Sequence, residues 1–182
     1  SGRLRGGDCV GEAALAGECG ISRAPVREAL YQLEAEGLLM SHPKRGKCVT
    51  ILTPDGIRNS YELSGLLESA AAVNAAKGLS AEVRMRDAVR AGGAFEEHAS
   101  LGTEFHETIL SLSDNPLIRS LASRSSRVIS KFLMYERWRT LYTPEELYDR
   151  HNRIYEALCS GERRRIENAV REHYAESAER LA

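Results

Sequence analysis

Five histidines, His42, His98, His106, His151 and His173, are the side chains here best suited to bind a metal ion or move a proton. His42 lies in a basic turn, and His98 follows "AGG" in a stretch without clear periodicity. The other three fall on apolar helix faces. His106 neighbours Phe105, Ile109 and Leu110, His151 leads Ile154, Tyr155 and Leu158, and His173 follows Ile166, Ala169 and Val170. A histidine in such company is ordinarily a core residue with a hydrogen bond. Spacing adds to that. The segment 143–182 reads as a helical hairpin turning at Ser160–Gly161, and positions 151 and 173 are symmetric about residue 162. At a rise of about 1.5 Å per residue, both stand roughly 16 Å from the turn, level on facing helices. Two imidazoles at one height, joined by His106, make a donor set for a divalent ion (Zn, Ni or Fe) inside a bundle. Three unrelated core histidines are the alternative.

A second group of residues has the chemistry to read DNA. Ser22, Arg23, Pro25 and Arg27 open a helix that follows a short helix and a turn, with Ser22 as its expected cap and Pro25 in its first turn. Arg23 and Arg27 are four apart and leave one face, opposite an expected buried stripe of Val26, Ala29, Leu30 and Leu33. Arginine suits bidentate contact with guanine or phosphate. Lys44, Arg45 and Lys47 crowd a turn at 43–47, where they can meet phosphates or a minor groove, and Gly46 lets the backbone come close. Solvated surface charge is the plain alternative for any one of these cations. Helix, turn, helix and basic hairpin in that order within one short stretch favour DNA.

These residues need two kinds of scaffold. The expected fold is mainly α: an N-terminal winged helix-turn-helix with a small two-stranded wing, then an antiparallel all-α bundle. The first part spans residues 1–52, and "TPDG" at 53–56 marks the boundary with an all-helical second part, 53–182, expected to bind effector and dimerise. The composition fits a folded globular protein, 42% hydrophobic and 28% charged over 182 residues. Net charge is −1. Residues 1–52 hold seven Lys/Arg against six Asp/Glu, and the remainder 18 against 20, so bulk charge does not argue for DNA and placement must. No apolar run approaches the roughly 20 residues of a membrane span. The four cysteines, Cys9, Cys19, Cys48 and Cys159, lack CxxC spacing and read as reduced thiols of a cytoplasmic protein.

The stretch "GISRAPVREALYQLEAEGLLMSHPKRGKCV" resembles the winged-helix signature of the GntR family of bacterial transcription regulators. That resemblance implies operator binding as a homodimer, with Arg23, Arg27 and the Arg45–Gly46 wing tip at the DNA. An arginine frequent in the preceding helix of the family is Ala13 here, and the family's first helix is expected to lie before Ser1. "EFHETILSLSDNPLI", "DRHNRIYEAL" and "IENAVREHYAESAERL" resemble the all-helical ligand-sensing domain of the FadR subfamily, most weakly over 79–103. This implies a metal held by a carboxylate and three histidines, mapping onto His106, His151 and His173, with a small organic-acid effector completing the shell nearby. Two positions depart from the pattern. Gly102 stands at the acidic ligand, with Glu104 on another side of the helix, and Ser64 stands where an arginine precedes Glu68 by four.

The leading function is a ligand-responsive transcription regulator, a repressor sensing a carboxylic acid. A three-histidine metalloenzyme with an accessory winged-helix domain is the alternative from another class, although no general base flanks the triad and Glu107 points about 100° away from His106. A regulator with a metal-free pocket is the third.

Overall fold

The computed structural model describes residues 4–76, 95–133 and 138–182, with side chains for 4–76, 100–125 and 140–182. Residues 79–94 of the weakly matching stretch 79–103 lie outside the described residues, as does the side chain of His98. The chain divides into two compact units, Ser1–Thr53 and Pro54–Ala182.

In the first unit, β1 (Cys9–Val10) precedes α1 (Glu12–Cys19) and α2 (Arg23–Ala35), and β2 (Leu39–His42) and β3 (Gly46–Val49) follow. The strands form one antiparallel sheet in the order β1-β3-β2. The wing therefore has three strands where two were expected. Ser22 takes the extended N-cap backbone of α2, but its side chain makes no capping bond. The helix closes at Gly37, whose φ of 79° suits a residue without Cβ. There the Gly37 N–H donates to the Glu34 carbonyl and the Leu38 N–H to the Leu33 carbonyl, both at 2.9 Å. The buried stripe of α2 is narrower than expected: Val26 and Leu30 are buried, Leu33 is half-buried and Ala29 is exposed.

The cysteines correct a further expectation. Cys9 and Cys48 face each other in the β1–β3 register and are joined by a disulfide, whereas Cys19 and Cys159 are free and exposed. Spacing could not reveal this pair, because the strand that carries Cys9 is two residues long and has no alternating pattern.

The second unit contains α3 (Pro54–Ala75), α4 (Phe95–Ser111), α5 (Pro116–Leu133), α6 (Trp138–Leu141), α7 (Pro144–Ser160) and α8 (Arg163–Leu181). Pro54 opens α3, a position that needs no N–H, so it begins a helix as well as ending the wing. A capping box starts α7: the Thr143 hydroxyl accepts the Glu146 N–H at 3.2 Å, and the Glu146 carboxylate accepts the Thr143 N–H at 2.9 Å. Gly161 ends the helix and turns the chain into α8.

Packing centres on α3 and α8, with α4, α5 and α7 around them. A Cβ built on Gly65 would come within 3.2 Å of the Tyr174 Cβ, so glycine lets these two helices approach closely. Ala71, Ala72 and Ala75 of α3 are buried, as are Ile109 of α4, Leu147, Ile154 and Leu158 of α7, and Ile166, Val170 and Leu181 of α8. Among the described residues, no helix is long and apolar enough to cross a membrane. Ile154 has no exposed surface, and Leu117 is 70% exposed. Ile154→Ala is expected to cost about 2–5 kcal/mol through lost burial and a residual cavity. Leu117→Ala should stay within about 0.5 kcal/mol. Urea denaturation midpoints of the two variants measure both, and similar costs would contradict this packing.

Candidate functional site: a buried histidine cluster and a paired basic face

Three helices bring three imidazoles together. His106 comes from α4, His151 from α7 and His173 from α8, and one ligand nitrogen of each lies within 4.8 Å of the others. His151 and His173 are buried and His106 is half-buried. The rings of 151 and 173 are centred 4.9 Å apart, so the hairpin sets these residues side by side. Phe105 closes one side, meeting His106 and His151 edge-on at 5.8 and 5.7 Å.

Hydrogen bonds fix what the rings offer. His151 Nδ1 donates to the Leu147 carbonyl at 2.7 Å, which leaves Nε2 as its lone-pair atom. His106 Nδ1 donates to the Glu68 carboxylate at 2.6 Å, leaving Nε2 again. The two Nε2 atoms stand 3.2 Å apart. Either one proton is shared between these two nitrogens or a cation lies between them, and both arrangements suit their separation. Nitrogen donors at about 2.0–2.1 Å from a zinc ion lie roughly 3.0–3.4 Å from each other, which matches the observed separation. His173 Nδ1 is buried with no hydrogen-bond partner. An orphaned imidazole nitrogen beside two converging nitrogens fits a divalent ion, and these three residues could hold one.

The surroundings include residues the sequence did not bring forward. Glu68 is 1% exposed, and its second oxygen accepts the Tyr174 hydroxyl at 2.5 Å. Burial, with this carboxylate next, holds the Tyr174 phenol protonated far above its usual range. Glu68 lies in register with the buried alanines 71, 72 and 75, a pattern that could have shown an acid facing the core. Arg150, also buried, ties α7 to α8 by donating to Glu176 at 2.6 Å, the His173 carbonyl at 2.7 Å and the Ser177 hydroxyl at 2.6 Å. It thereby fixes the backbone that carries His173.

Gly102 lies against the cluster. A Cβ there would sit 2.8 Å from His151 Cε1 and 3.1 Å from its Nε2, so the ring occupies the space of any side chain at 102. Glu104 and Glu107 are exposed, and neither is in the cluster. Ser64 is buried against α5, its hydroxyl 2.9 Å from that of Ser125.

In the first unit Ser22, Arg23, Pro25 and Arg27 are exposed on α2, and Lys44, Arg45 and Gly46 are exposed at the wing turn. Lys44 and Gly46 have φ of 68° and 81°, the sharp turn that glycine eases. Two of the expected DNA-facing cations already have partners. Arg27 forks onto Glu12 of α1 through Nε and Nη2 at 3.0 Å. That hydrogen bond lowers the Glu12 carboxyl, with the Arg27, Arg23 and Lys47 charges adding to it. Lys47 is not in the turn but within β3, where it pairs with Glu34, donates to Ser41 at 2.8 Å and lies 4.4 Å over the Tyr31 ring. The exposed, unmasked cations of the wing tip are thus Lys44 and Arg45.

A helix-turn-helix with a small sheet, followed by an all-helical unit with an inward donor set, defines a class of regulator with a sensing domain. The chain belongs to the family described as "Bacterial regulatory proteins, gntR family", whose model matches residues 1–49, and it carries an FCD domain over residues 59–176. It is similar to the HTH-type transcriptional regulator LutR of Bacillus subtilis (strain 168), at 27% identity over 199 residues, 95% of this chain and 91% of that protein. The Nta operon transcriptional regulator of Aminobacter aminovorans is 30% identical over 149 residues, 75% of this chain and 68% of that one. A solved structure of a putative transcriptional regulator from Rhodococcus sp. RHA1 shares the fold, with a TM-score of 0.70 at 22% identity, covering 99% of this chain and 89% of that one. The protein is a DNA-binding transcription regulator with a ligand-sensing C-terminal domain. It is not an enzyme, and the metalloenzyme reading is set aside.

The buried imidazoles have a consequence for stability. Burial first, and the neighbouring His106 second, push the His151 imidazole down to about 3 and that of His173 well below its ordinary value. Both stay neutral in the folded chain and take up protons in the unfolded chain below about pH 6.5. The unfolded state then binds more protons, so stability is full above about pH 6.5 and is lost as the pH falls below it. Metal-stripped protein should therefore show urea midpoints that drop from pH 7.5 to 5.5, by up to about 1.4 kcal/mol per pH unit for each histidine. The drop should shrink in His151→Gln, and an equal drop in both proteins would contradict the assignment.

Proposed function

We propose that the protein is a cytoplasmic repressor that binds operator DNA as a homodimer and whose DNA binding responds to a small organic acid in the helical domain. The observation carrying the sensing half is the convergence of His106, His151 and His173, with His173 Nδ1 buried and unpartnered. These three side chains would hold a divalent ion (Zn, Ni or Fe), which when bound supplies positive charge for an effector carboxylate. The chain's own residues do the rest. Leu147 and Glu68 hold two rings in the tautomer that presents Nε2, Arg150 braces the backbone of His173, and Phe105 shields the cluster from water. Coupling to DNA requires that the effector bind the two conformations of the regulator with different affinity.

The DNA half rests on exposure and order. Ser22, Arg23, Pro25 and Arg27 stand at the start of the second helix, the end that enters a major groove, and Lys44, Arg45 and Gly46 stand at the wing turn. Lys47, drawn into its pair with Glu34, is assigned to support of the wing and not to direct contact. One winged helix makes too few contacts for a specific site, so two copies on two half-sites are expected.

Two measurements test these halves separately. In DNA binding by fluorescence anisotropy, on a sequence selected from a random pool, Arg23→Ala should lose about 1–3 kcal/mol and relax specificity, whereas Lys44→Ala weakens all sequences alike. Wild-type affinity in Arg23→Ala sinks the recognition-helix assignment. For the sensing half, metal content of purified wild type should exceed that of His151→Ala. Equal content means a pocket without metal.

A further inference from the structure

We propose that Glu68 is the positioning carboxylate of the histidine cluster, supplying through His106 the negative charge that the cluster itself lacks. This deepens the three-histidine reading and rests on it. The cluster offers three imidazole nitrogens and, among the described residues, no carboxylate. The geometry shows why none enters at the nearest position: the His151 ring fills the space beside Gly102, where a Cβ would lie 2.8 Å from Cε1. The carboxylate that does touch the cluster is one bond further out.

Glu68 suits that role in three ways. One oxygen accepts the His106 Nδ1 proton at 2.6 Å, a short charge-assisted bond that fixes the tautomer and makes Nε2 a stronger donor. The other oxygen accepts the Tyr174 hydroxyl at 2.5 Å, which anchors the carboxylate beside the His106 ring. At 1% exposure, a carboxylate is costly to bury unless it is hydrogen-bonded and has positive charge nearby. A divalent ion held by the three histidines would supply it. The carboxylate and the ion would stabilise each other across one imidazole, and the ion keeps more open positions for a ligand than a direct acidic donor would leave.

The test measures zinc affinity by competition with a chromophoric chelator, together with the visible spectrum of the cobalt-loaded protein. Glu68→Gln preserves shape and removes the charge, and it should weaken zinc by about 10–100-fold and shift the cobalt bands, with unchanged far-UV circular dichroism. Binding within threefold of wild type, with the same cobalt spectrum, would overturn the proposal. Gly102→Asp tests it independently of how Glu68→Gln folds. It adds an acid where the ring leaves no room, so it should bind zinc no more tightly than wild type, and a tenfold gain would equally defeat the argument. Wild type binding no better than His151→Ala is a different result: it removes the three-histidine reading beneath this one.

Discussion

Two imidazole nitrogens held 3.2 Å apart inside a protein core are the contact around which the second unit is organised. Each ring has spent its Nδ1 proton elsewhere, one on a backbone carbonyl and one on a buried carboxylate. Neither ring can turn away without breaking a bond that burial makes expensive to lose. The hairpin sets His151 against His173, and α3 comes close enough to α8, at Gly65, for Glu68 to reach across. Arg150 then locks α7 to α8 at the level of the histidines. A polar centre of this kind is most stable when every member is satisfied, and within the described cluster His173 Nδ1 is buried without a partner.

Much of this was legible in the sequence because helical periodicity and symmetry about a turn are local properties. Positions 151 and 173 could be set level by counting from residue 162, and the second helix of the DNA-binding unit is bounded by Ser22 and Gly37 where the chain says it should be. The parts that were missed depend on partners far away in the chain. β1 exists because β3 is beside it, so neither the third strand nor the Cys9–Cys48 disulfide could be read from residues 9 and 10 alone. Glu68 is 38 residues from His106 and 106 from Tyr174, and only the packing of α3 reveals that it joins them.

The same distinction explains Lys47. By order along the chain it belongs to a basic turn. By strand register it falls opposite Ser41, inside the sheet, and there Glu34 and Tyr31 engage it. Gly102 shows the reverse case. The sequence marked it as a gap, and the structure shows that the gap is filled by the neighbouring histidine ring and not by solvent.

The pairing of Arg27 with Glu12 has a consequence for how such a head would meet DNA. Free cations on a protein release the small ions condensed on phosphates when they bind, and each contributes to the steepness with which salt weakens the complex. A guanidinium that must leave a carboxylate first exchanges one anion for another. The carboxylate left behind would then lie near the phosphate, so an Arg27 contact with DNA would add less general attraction to the polymer than a free cation would. With a net charge of only +1, residues 1–52 would draw little on bulk attraction to the polymer.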